Sequence, residues 1–371
     1  MWKEAIETAM ETVKRNAIQH PGLFPHISNE LRYEWGQNND WIDGFYTGMM
    51  WLSYEYSGQE FFKQTASEQL HAFEHRLENH IALDHHDIGF LYSLSAVAEW
   101  KITGNVEARQ LALRAADKLV SRFREGFGAI QAWGMEDDPE NGGRIIIDCL
   151  MNLPLLYWAH LETGNSSYYD IAEKHAQKSL RFLIRGDGSS YHTFYFDRLQ
   201  GNALRGGTHQ GFQDGSTWSR GQSWGVYGFA LSYRYTKNEI YLDTAKRMAR
   251  FFIDHLPEDH VSYWDFDDVV EQGTPRDSSA TAITACGILE LLELMPEDDS
   301  DRDYLRAALL RMMESLVDNY STRNIENAEG LIQHGSYHVR GGQAPDNYMI
   351  WGDYYYLEAL VRMDKGIKGY W

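Results

Sequence analysis

The sequence predicts an all-α protein, an (α/α)6 barrel in which six inner helices are surrounded by six outer helices. A cap motif recurs, in which Gly or Asn follows an apolar segment and precedes an amphipathic one, at Gly58, Gly104, Gly164 and Asn238. Both residue types tolerate the left-handed conformation that ends a helix. Segments before the motif are apolar nearly all round, and segments after it have one polar face. Buried and half-exposed helices therefore alternate, and an open helical array is the alternative.

Each predicted helix belongs to one of these two kinds. The segment EARQLALRAADKLVSRF places Ala and Leu on one stripe and most of its charges opposite, which is typical of an outer helix. The predicted outer helices, in chain order, are 2–19, 60–79, 106–123, 167–184, 240–256 and 300–320. Segments such as CLMNLPLLYWAHL have no polar face and are expected to be covered on both sides. The predicted inner helices, in chain order, are 41–57, 87–103, 148–163, 221–236, 277–294 and 352–365.

Composition excludes several classes of partner. The 371 residues carry a formal net charge of −20, which repels phosphate and argues against nucleic acid and anionic membranes. No apolar stretch is long enough to span a membrane, and the amphipathic N-terminus does not resemble a signal peptide. Cys149 and Cys286 lie in apolar contexts that favour buried thiols over a disulfide. We expect a cytoplasmic protein, present as a monomer or weak dimer, whose residues 1–371 form a single barrel domain without an internal linker.

The candidate functional residues follow from the barrel. All inner helices of such a barrel run in the same direction, so their starts converge on one mouth. The charged residues at these starts are Asp40, Asp43, Asp87, Asp148, Arg220, Asp277 and Asp353. The segments leading to them supply a second set of side chains, all aromatic: Trp35, Trp41, Trp133, Trp218, Trp224, Tyr337 and Trp351. The sequence therefore predicts a polar cavity with aromatic walls at this mouth.

Most of these aspartates have an ordinary structural explanation. An Asp at a helix start usually caps the helix, and we expect this role for Asp40, Asp277 and Asp353. Asp87 is a stronger functional candidate because Asp84 is available as the cap of the same helix. Asp148 follows three isoleucines, and burial among apolar residues raises the pKa of a carboxyl group. Asp148 is therefore the candidate general acid.

The remaining motifs indicate carbohydrate rather than metal or phosphate. His85 and His86 are adjacent and therefore point apart, and no metal-binding motif accompanies them, so no metal is predicted. The Gly-rich segment GGTHQGFQDGSTWSRGQSWG lacks the pattern of a phosphate-binding loop. Its Arg220 could bind a carboxylate with paired hydrogen bonds, and Trp218 and Trp224 could cover the apolar faces of a sugar ring.

Several motifs together carry a resemblance to a known family. The segments DWIDGF, DHHDIGFLYSLSA, QAWG, DPENGGRIIIDCL, SSYHTFYFD, RGGTHQGFQDGSTWSRGQSWG, RDSSATAITACG, GSYHVRGG and IWGDYYYLEAL occur in this order. From about residue 23 to the C-terminus, the chain resembles the unsaturated glucuronyl hydrolases of glycoside hydrolase family 88. The resemblance implies the (α/α)6 barrel and oligosaccharide substrates whose non-reducing end is a 4,5-unsaturated uronic acid. Polysaccharide lyases release such substrates from glycosaminoglycans, gellan or xanthan.

The resemblance also implies roles for individual residues. Asp148 would be the general acid and base, protonating C4 of the vinyl ether and assisting the addition of water at C5, and Asp87 would be the second essential carboxylate. The implied substrate-binding residues are Trp41, Trp133, His192, His209, Gln210, Trp218, Arg220, Trp224, Tyr337 and Arg340. No metal or organic cofactor is implied. Some members that prefer sulfated substrates carry a Ser- and Lys-rich motif where this chain has GSYHVRGG, without lysine, so we expect unsulfated substrates.

Other functions remain open on the sequence. An unsaturated rhamnogalacturonyl hydrolase would share the barrel and related chemistry but release a different sugar. An epimerase or isomerase on an (α/α)6 barrel would be expected to transfer protons with histidine pairs, whereas two aspartates dominate here. A non-catalytic protein that binds acidic sugars would need the aromatic residues and the arginine but not a desolvated Asp148.

Overall fold

Two rings of α-helices make up the computed structural model, which describes residues 2–29 and 31–371. The outer helices alternate with the inner ones along the chain, and they are α1 (Trp2–Gln19), α3 (Glu60–Glu78), α6 (Val106–Val120), α8 (Ser166–Leu183), α10 (Glu239–Asp254) and α12 (Arg302–Ser315). The inner ring consists of α2 (Asp43–Ser57), α4 (Ile88–Tyr92) with its continuation α5 (Ala98–Thr103), α7 (Leu153–Thr163), α9 (Ser219–Thr236), α11 (Ser278–Leu294) and α13 (Ile350–Lys365). The predicted (α/α)6 barrel is confirmed.

The inner ring closes on itself. Helix α2 packs against α4 on one side and against α13 on the other, and each remaining inner helix contacts the inner helix that follows it. Outer helices cover this ring and bury a single face each. In α6, for example, the buried residues are Ala and Leu along one stripe, whereas α9 is buried from Ser219 to Tyr233. The two kinds of helix predicted from hydrophobic patterning are therefore the two rings of the barrel.

The cap motif ends the inner helices as predicted at three of its four positions. Gly58, Gly104 and Gly164 adopt left-handed φ angles of 69°, 74° and 72°. At the fourth position the prediction was wrong by one residue. Lys237 adopts the left-handed conformation after α9, and the side chain of Asn238 instead caps α10 by accepting a hydrogen bond from the Ile240 N–H. Asn at such a site serves a helix start better than a helix end.

In the described part of the chain, seven short strands lie in the connections that lead from outer to inner helices, and the all-α prediction did not include them. They are β1 (Phe24–Asn29) with β2 (Arg32–Gly36), β3 (Phe123–Arg124) with β4 (Ala129–Ile130), and the three-stranded antiparallel sheet β5 (Arg144–Ile146), β6 (Thr193–Phe196) and β7 (Ala203–Gly207). Two of the three isoleucines before Asp148, Ile145 and Ile146, lie in β5. Strands of two to six residues carry too few alternating positions to be recognised reliably from sequence.

Two inner helices are irregular near the mouth. A turn of π-helix, Ser93–Val97, joins α4 to α5. A turn of 3₁₀-helix, Ile147–Met151, precedes α7 and contains Asp148, so this residue is not within the α-helix predicted for it. π-turns and short 3₁₀-turns interrupt helices frequently at functional sites. Within residues 2–29 and 31–371, no helix combines the length and apolar character that crossing a bilayer requires.

Close contacts between inner helices depend on two glycines. A Cβ atom on Gly44 would collide with the backbone of Phe90 and Leu91, and one on Gly89 would collide with the backbone of Asn152. The Asn152 side chain occupies the same crossing, where it accepts a hydrogen bond from the Phe90 N–H at 2.8 Å. Gly89 follows Asp87 by two residues, and Asn152 follows Asp148 by four. This crossing therefore sets how close the two candidate catalytic residues lie.

Candidate active site

A cavity of about 180 Å³ opens where the inner helices begin. Its walls are formed by Trp41, Asp87, Trp133, Asp148, His209, Gln210, Trp218, Arg220, Trp224, Tyr337, His338 and Gln343. Ten of the twelve predicted site residues are in this lining. Residues from five of the six connections into the inner ring, or from the helix starts that follow them, therefore meet in one pocket.

Asp87 and Asp148 lie at the starts of neighbouring inner helices, with His86 between them. The Nε2 atom of His86 is 3.0 Å from Asp148 Oδ1 and 3.5 Å from Asp87 Oδ1. The potential ligand atoms of the three residues all lie within 4.8 Å of one another. His86 is fully buried, and the Asp148 side chain keeps 15% of its surface exposed toward the cavity. Only the carboxyl groups reach the space that a substrate would occupy.

The two carboxyl groups have opposite pKa shifts. Burial is the main influence on Asp148, and it raises the pKa of this carboxyl group although the nearby His86 opposes the effect. Burial also acts on Asp87, but the positive charge of His86 and the hydrogen bond from His85 outweigh it, so the pKa of Asp87 is lowered. An acid with a raised pKa beside an ionised carboxylate is the pattern of a general acid with a charged partner.

The two carboxyl groups stand in different local structures. Asp148 lies two residues after β5, and the N–H of the intervening Ile147 donates a hydrogen bond to the carbonyl of His192, the residue before β6, at 3.1 Å. Asp87 precedes α4 and makes no side-chain cap bond to it. The prediction that Asp84 caps this helix is wrong, because its carboxylate accepts a hydrogen bond from His80 at 3.1 Å. Asp87 therefore remains free of the structural role that explains most aspartates at helix starts.

Of the three other aspartates predicted to cap helices, one does so and two have other hydrogen-bond partners. Asp277 caps α11 by accepting a hydrogen bond from the Ala280 N–H. Asp40 does not cap α2, since its carboxylate accepts the N–H of the next residue, Trp41. Asp353 lies within the first turn of α13 and joins it to the mouth loops by accepting hydrogen bonds from the Leu331 and Ile332 N–H groups and the Tyr33 hydroxyl. Burial raises the pKa of Asp353 to about 7.

Arg220 lines the cavity, but most of its hydrogen bonds are made within the protein. Its guanidinium pairs with Asp277 at 2.5 Å and donates to the carbonyls of Ser336 and Tyr337. The flat group also lies 4.5 Å from the ring centre of Trp218 and 5.1 Å from that of Trp351. The sequence predicted an arginine available to grip a carboxylate with paired bonds. In the structure Asp277 already neutralises it, which leaves fewer N–H groups for a ligand.

Aromatic residues form the walls and the floor. Trp41 contacts Phe90, with ring centres 5.7 Å apart, and Trp224 contacts the same ring at 5.1 Å. Beneath them, Phe90 meets Trp371 edge-on at 5.9 Å. Trp133 stands at the opposite wall, where the guanidinium of Arg144 lies 4.5 Å from its ring centre. Flat apolar faces surrounding a few polar groups are typical of a sugar-binding site.

His192 is one of the two predicted site residues outside the lining, and it lies directly behind the wall. Its Nδ1 atom accepts hydrogen bonds from the His209 and Gln210 N–H groups at 3.0 and 3.3 Å, and its ring contacts Trp218 at 4.5 Å. Burial lowers the pKa of His192 well below its usual value, so the ring is neutral at physiological pH. The structure thus gives His192 contacts with residues of the wall.

Arg340 is the second predicted site residue outside the lining, and it is exposed on the loop that carries Tyr337. Burial lowers the pKa of both His209 and His338, and the charge of nearby Arg340 adds to each shift. Arg340 therefore lies at the rim rather than in the pocket. Two lining residues, His338 and Gln343, were not predicted as site residues. They face each other across the end of one turn, and no sequence pattern signals that this turn folds over the cavity.

His86, Asp87 and Asp148 are the cluster of His, Cys, Asp and Glu side chains in the described part of the chain that could hold a metal ion. A metal would require a neutral imidazole with its Nε2 lone pair directed at the ion. Burial opposes a charge on His86, but the two adjacent carboxylates outweigh it and raise its pKa well above 6.5. The donor set therefore fits a protonated histidine between two acids better than a metal site.

The family model for Glycosyl Hydrolase Family 88 matches residues 10–368 of this chain. The chain belongs to this family. Relatives over nearly the whole length include the unsaturated glucuronyl hydrolase of Bacillus sp. strain GL1, which is 55% identical and aligned over 100% of this chain and 99% of its own. The crystal structure of that family 88 hydrolase, described as responsible for the degradation of glycosaminoglycan, superimposes with a TM-score of 0.98.

Two further family 88 members are similar. An unsaturated chondroitin disaccharide hydrolase from Streptococcus pneumoniae is 48% identical over 90% of this chain and 84% of its own length. The structure of a variant unsaturated glucuronyl hydrolase from Streptococcus agalactiae in complex with dGlcA-GalNAc6S is 40% identical, covers 100% of this chain and 93% of its own, and has a TM-score of 0.88. Family membership makes this chain a glycoside hydrolase.

Proposed function

We propose that this family 88 hydrolase releases 4,5-unsaturated glucuronic acid from the non-reducing end of oligosaccharides that polysaccharide lyases produce. The similar proteins from Bacillus and Streptococcus act on, or bind, sugars of this class according to their names. The cavity supports the proposal because its aromatic walls suit a single sugar ring and its two carboxyl groups suit an acid-catalysed reaction.

The observation that carries the proposal is the unequal pair Asp87 and Asp148. In the proposed reaction, Asp148 donates its proton to C4 of the vinyl ether, and positive charge develops at C5 and the ring oxygen. The resulting Asp148 carboxylate then takes a proton from a water molecule as that water adds to C5. The hemiketal formed opens and expels the remaining sugar. Ionised Asp87 provides negative charge near the developing cation.

Loss of the ultraviolet absorbance of the unsaturated sugar measures this reaction directly. We expect the wild-type protein to remove the absorbance of unsaturated chondroitin or gellan fragments. Asp148→Asn cannot donate the proton, and we expect kcat to fall by about 100-fold or more while substrate still binds. Binding without turnover would also exclude a protein that only binds acidic sugars. Full turnover by Asp148→Asn would contradict the assignment of the acid.

The aromatic and polar residues of the lining belong to the same proposal as substrate-binding groups, with His192 behind the wall and Arg340 at the rim. The loop that carries Tyr337 also bears on substrate choice, because it contains no lysine. We propose that unsulfated substrates are preferred. Rates measured with chondroitin, hyaluronan, heparin, gellan and xanthan lyase products would test this preference and identify the leaving sugar.

The setting of the protein completes the proposal. Cys149 and Cys286 are both buried free thiols, which suits the reducing cytoplasm. We propose a cytoplasmic enzyme that is a monomer or weak dimer. Cell fractionation and light scattering coupled to size-exclusion chromatography would test these two statements.

A further inference from the structure

His86 is more deeply buried than either carboxyl group beside it. None of its surface is exposed, and it is not among the residues that line the cavity. Its backbone N–H donates to the Ala132 carbonyl at 2.9 Å, which holds the residue against the loop that carries Trp133. The imidazole has no backbone hydrogen bond of the kind that satisfies most buried histidines. Its Nε2 atom instead lies close to carboxyl oxygens of Asp148 and Asp87.

The groups that face the imidazole come from several elements. The carboxyl groups of Asp87 and Asp148 approach from the starts of two inner helices, and the thiol of Cys149 lies beside the ring on the same turn as Asp148. The outer helix α8 contributes His175, whose pKa burial lowers to about 3, so that it is neutral. Arg122 lies beyond Asp87 and donates to the Ala132 carbonyl. Ionised Asp87 therefore faces the imidazole throughout the reaction, and Asp148 adds a second negative charge once it has given up its proton.

We propose that His86 is a positioning residue that remains protonated through the reaction and acts as the counter-ion of Asp148 after Asp148 has given up its proton. This inference rests on the proposed function. Because Nε2 lies 3.0 Å from Asp148 Oδ1 and 3.5 Å from Asp87 Oδ1, one cation contacts both carboxyl groups and fixes their separation.

The contribution to the reaction follows from where charge changes. When the Asp148 O–H bond breaks and the C4–H bond forms, negative charge appears on the Asp148 carboxyl group. A cation already held beside that group stabilises the developing charge without reorganisation, as preorganised groups in active sites do. The proton that Asp148 later takes from water restores the starting state. His86 itself neither gains nor loses a proton in this cycle.

The pH dependence of kcat separates this role from a purely structural one. Replacement by His86→Gln removes the charge and keeps a polar side chain of similar length. The Asp148 carboxylate is then less stabilised, so its pKa rises, and the loss of activity at high pH moves to higher pH. We expect a shift of about one pH unit or more and a fall in kcat of about 100-fold. An unchanged high-pH limb, a shift to lower pH or a fully active variant would overturn the proposal.

A matched control is available in His175→Gln. His175 is another fully buried histidine, and its Nδ1 accepts a hydrogen bond from the Ile130 N–H, but it contacts neither acid. We expect this variant to leave the high-pH limb of kcat unchanged. Wild-type turnover of the unsaturated substrate tests the proposed function independently, so failure of the His86 inference and failure of the function are distinguishable.

A measurement on the wild-type protein keeps the inference testable if His86→Gln does not fold. Nitrogen NMR of histidine-labelled protein distinguishes imidazolium from neutral imidazole. The usual pKa of histidine is about 6.5. We expect one histidine of this protein to remain an imidazolium well above that pH, and we expect its signal to move in Asp148→Asn. If no signal meets both conditions, the proposal is wrong.

Discussion

At the scale of single residues, Arg220 illustrates how a buried charge constrains a site. It lies between the rings of Trp218 and Trp351 and is paired with Asp277, which itself caps α11. A guanidinium so thoroughly bonded is a fixed part of the wall rather than a mobile arm. Any hydrogen bond that it donates to a sugar therefore has a fixed direction. This favours selection of a correctly oriented sugar over attraction of any acidic ligand.

The Arg220–Asp277 pair can be tested through stability. Arg220→Met leaves Asp277 buried without its cation, and we expect the free energy of unfolding to fall by about 3–5 kcal/mol. The double variant Arg220→Met/Asp277→Asn removes both charges and retains a side chain that can cap α11, so it should recover a large part of this loss. Urea unfolding of both variants provides the comparison. Equal stability of the single and double variants would contradict the pairing.

The residues that sequence analysis identified and missed differ in one physical respect. Asp87, Asp148 and Arg220 are found because they interrupt apolar runs at predicted helix starts, and such polar residues require an explanation. The role of His86 could not be found in this way. Its importance depends on the distance of 3.0 Å between its Nε2 atom and the Oδ1 atom of Asp148, a residue 62 positions further along the chain. The residues next to His86 in the sequence do not reveal this distance.

At the scale of elements, the crossing of α4 with the turn before α7 determines the geometry of the acids. The backbone of Gly89 touches that of Asn152, and the amide of Asn152 bonds to the next residue of α4 and also lies 3.3 Å from the Asp148 carbonyl. The contact brings the two chain segments together immediately behind the carboxyl groups. A side chain at position 89 would push them apart.

Gly89→Ala should therefore reduce activity by more than its loss of stability accounts for. We expect kcat to fall by about tenfold to 100-fold, because small displacements of catalytic groups are costly, together with a lower melting temperature from overpacking. Gly104→Ala is the matched control, since it lies at the opposite end of the same inner helix with open space around it and a φ of 74°. The control should lose stability but keep kcat. Equal activity of both variants would contradict the role of the crossing.

The predictability of the elements follows their length. Helices of eleven or more residues show enough of the 3.6-residue repeat to be assigned to the inner or the outer ring. The strands in the mouth are shorter, and the isoleucines of β5 were noticed only as part of an apolar run. The loops that fold over the cavity have no repeat at all, which is why the lining residues His338 and Gln343 were missed.

At the scale of the whole molecule, the closed inner ring suggests cooperative behaviour. Helix α13 packs against α2, so the last helix of the barrel completes the contacts of the first inner helix, and the buried residues form one continuous core. We propose that residues 1–371 are a single domain. Thermal unfolding followed by circular dichroism and by tryptophan fluorescence should then give coincident transitions. Two separated transitions would indicate independent units.

The floor of the cavity determines which linkages of an oligosaccharide can reach the acid. Phe90 and Trp371 close the barrel beneath Trp41 and Trp224, so nothing can thread through it. A chain can present only its tip, and an interior linkage has no route to Asp148. The liberated sugar must also back out through the opening by which it came, before another chain end can dock. Such a closed chamber removes one terminal unit from each chain that docks, because the chain end exposed by the reaction no longer carries the double bond that Asp148 protonates.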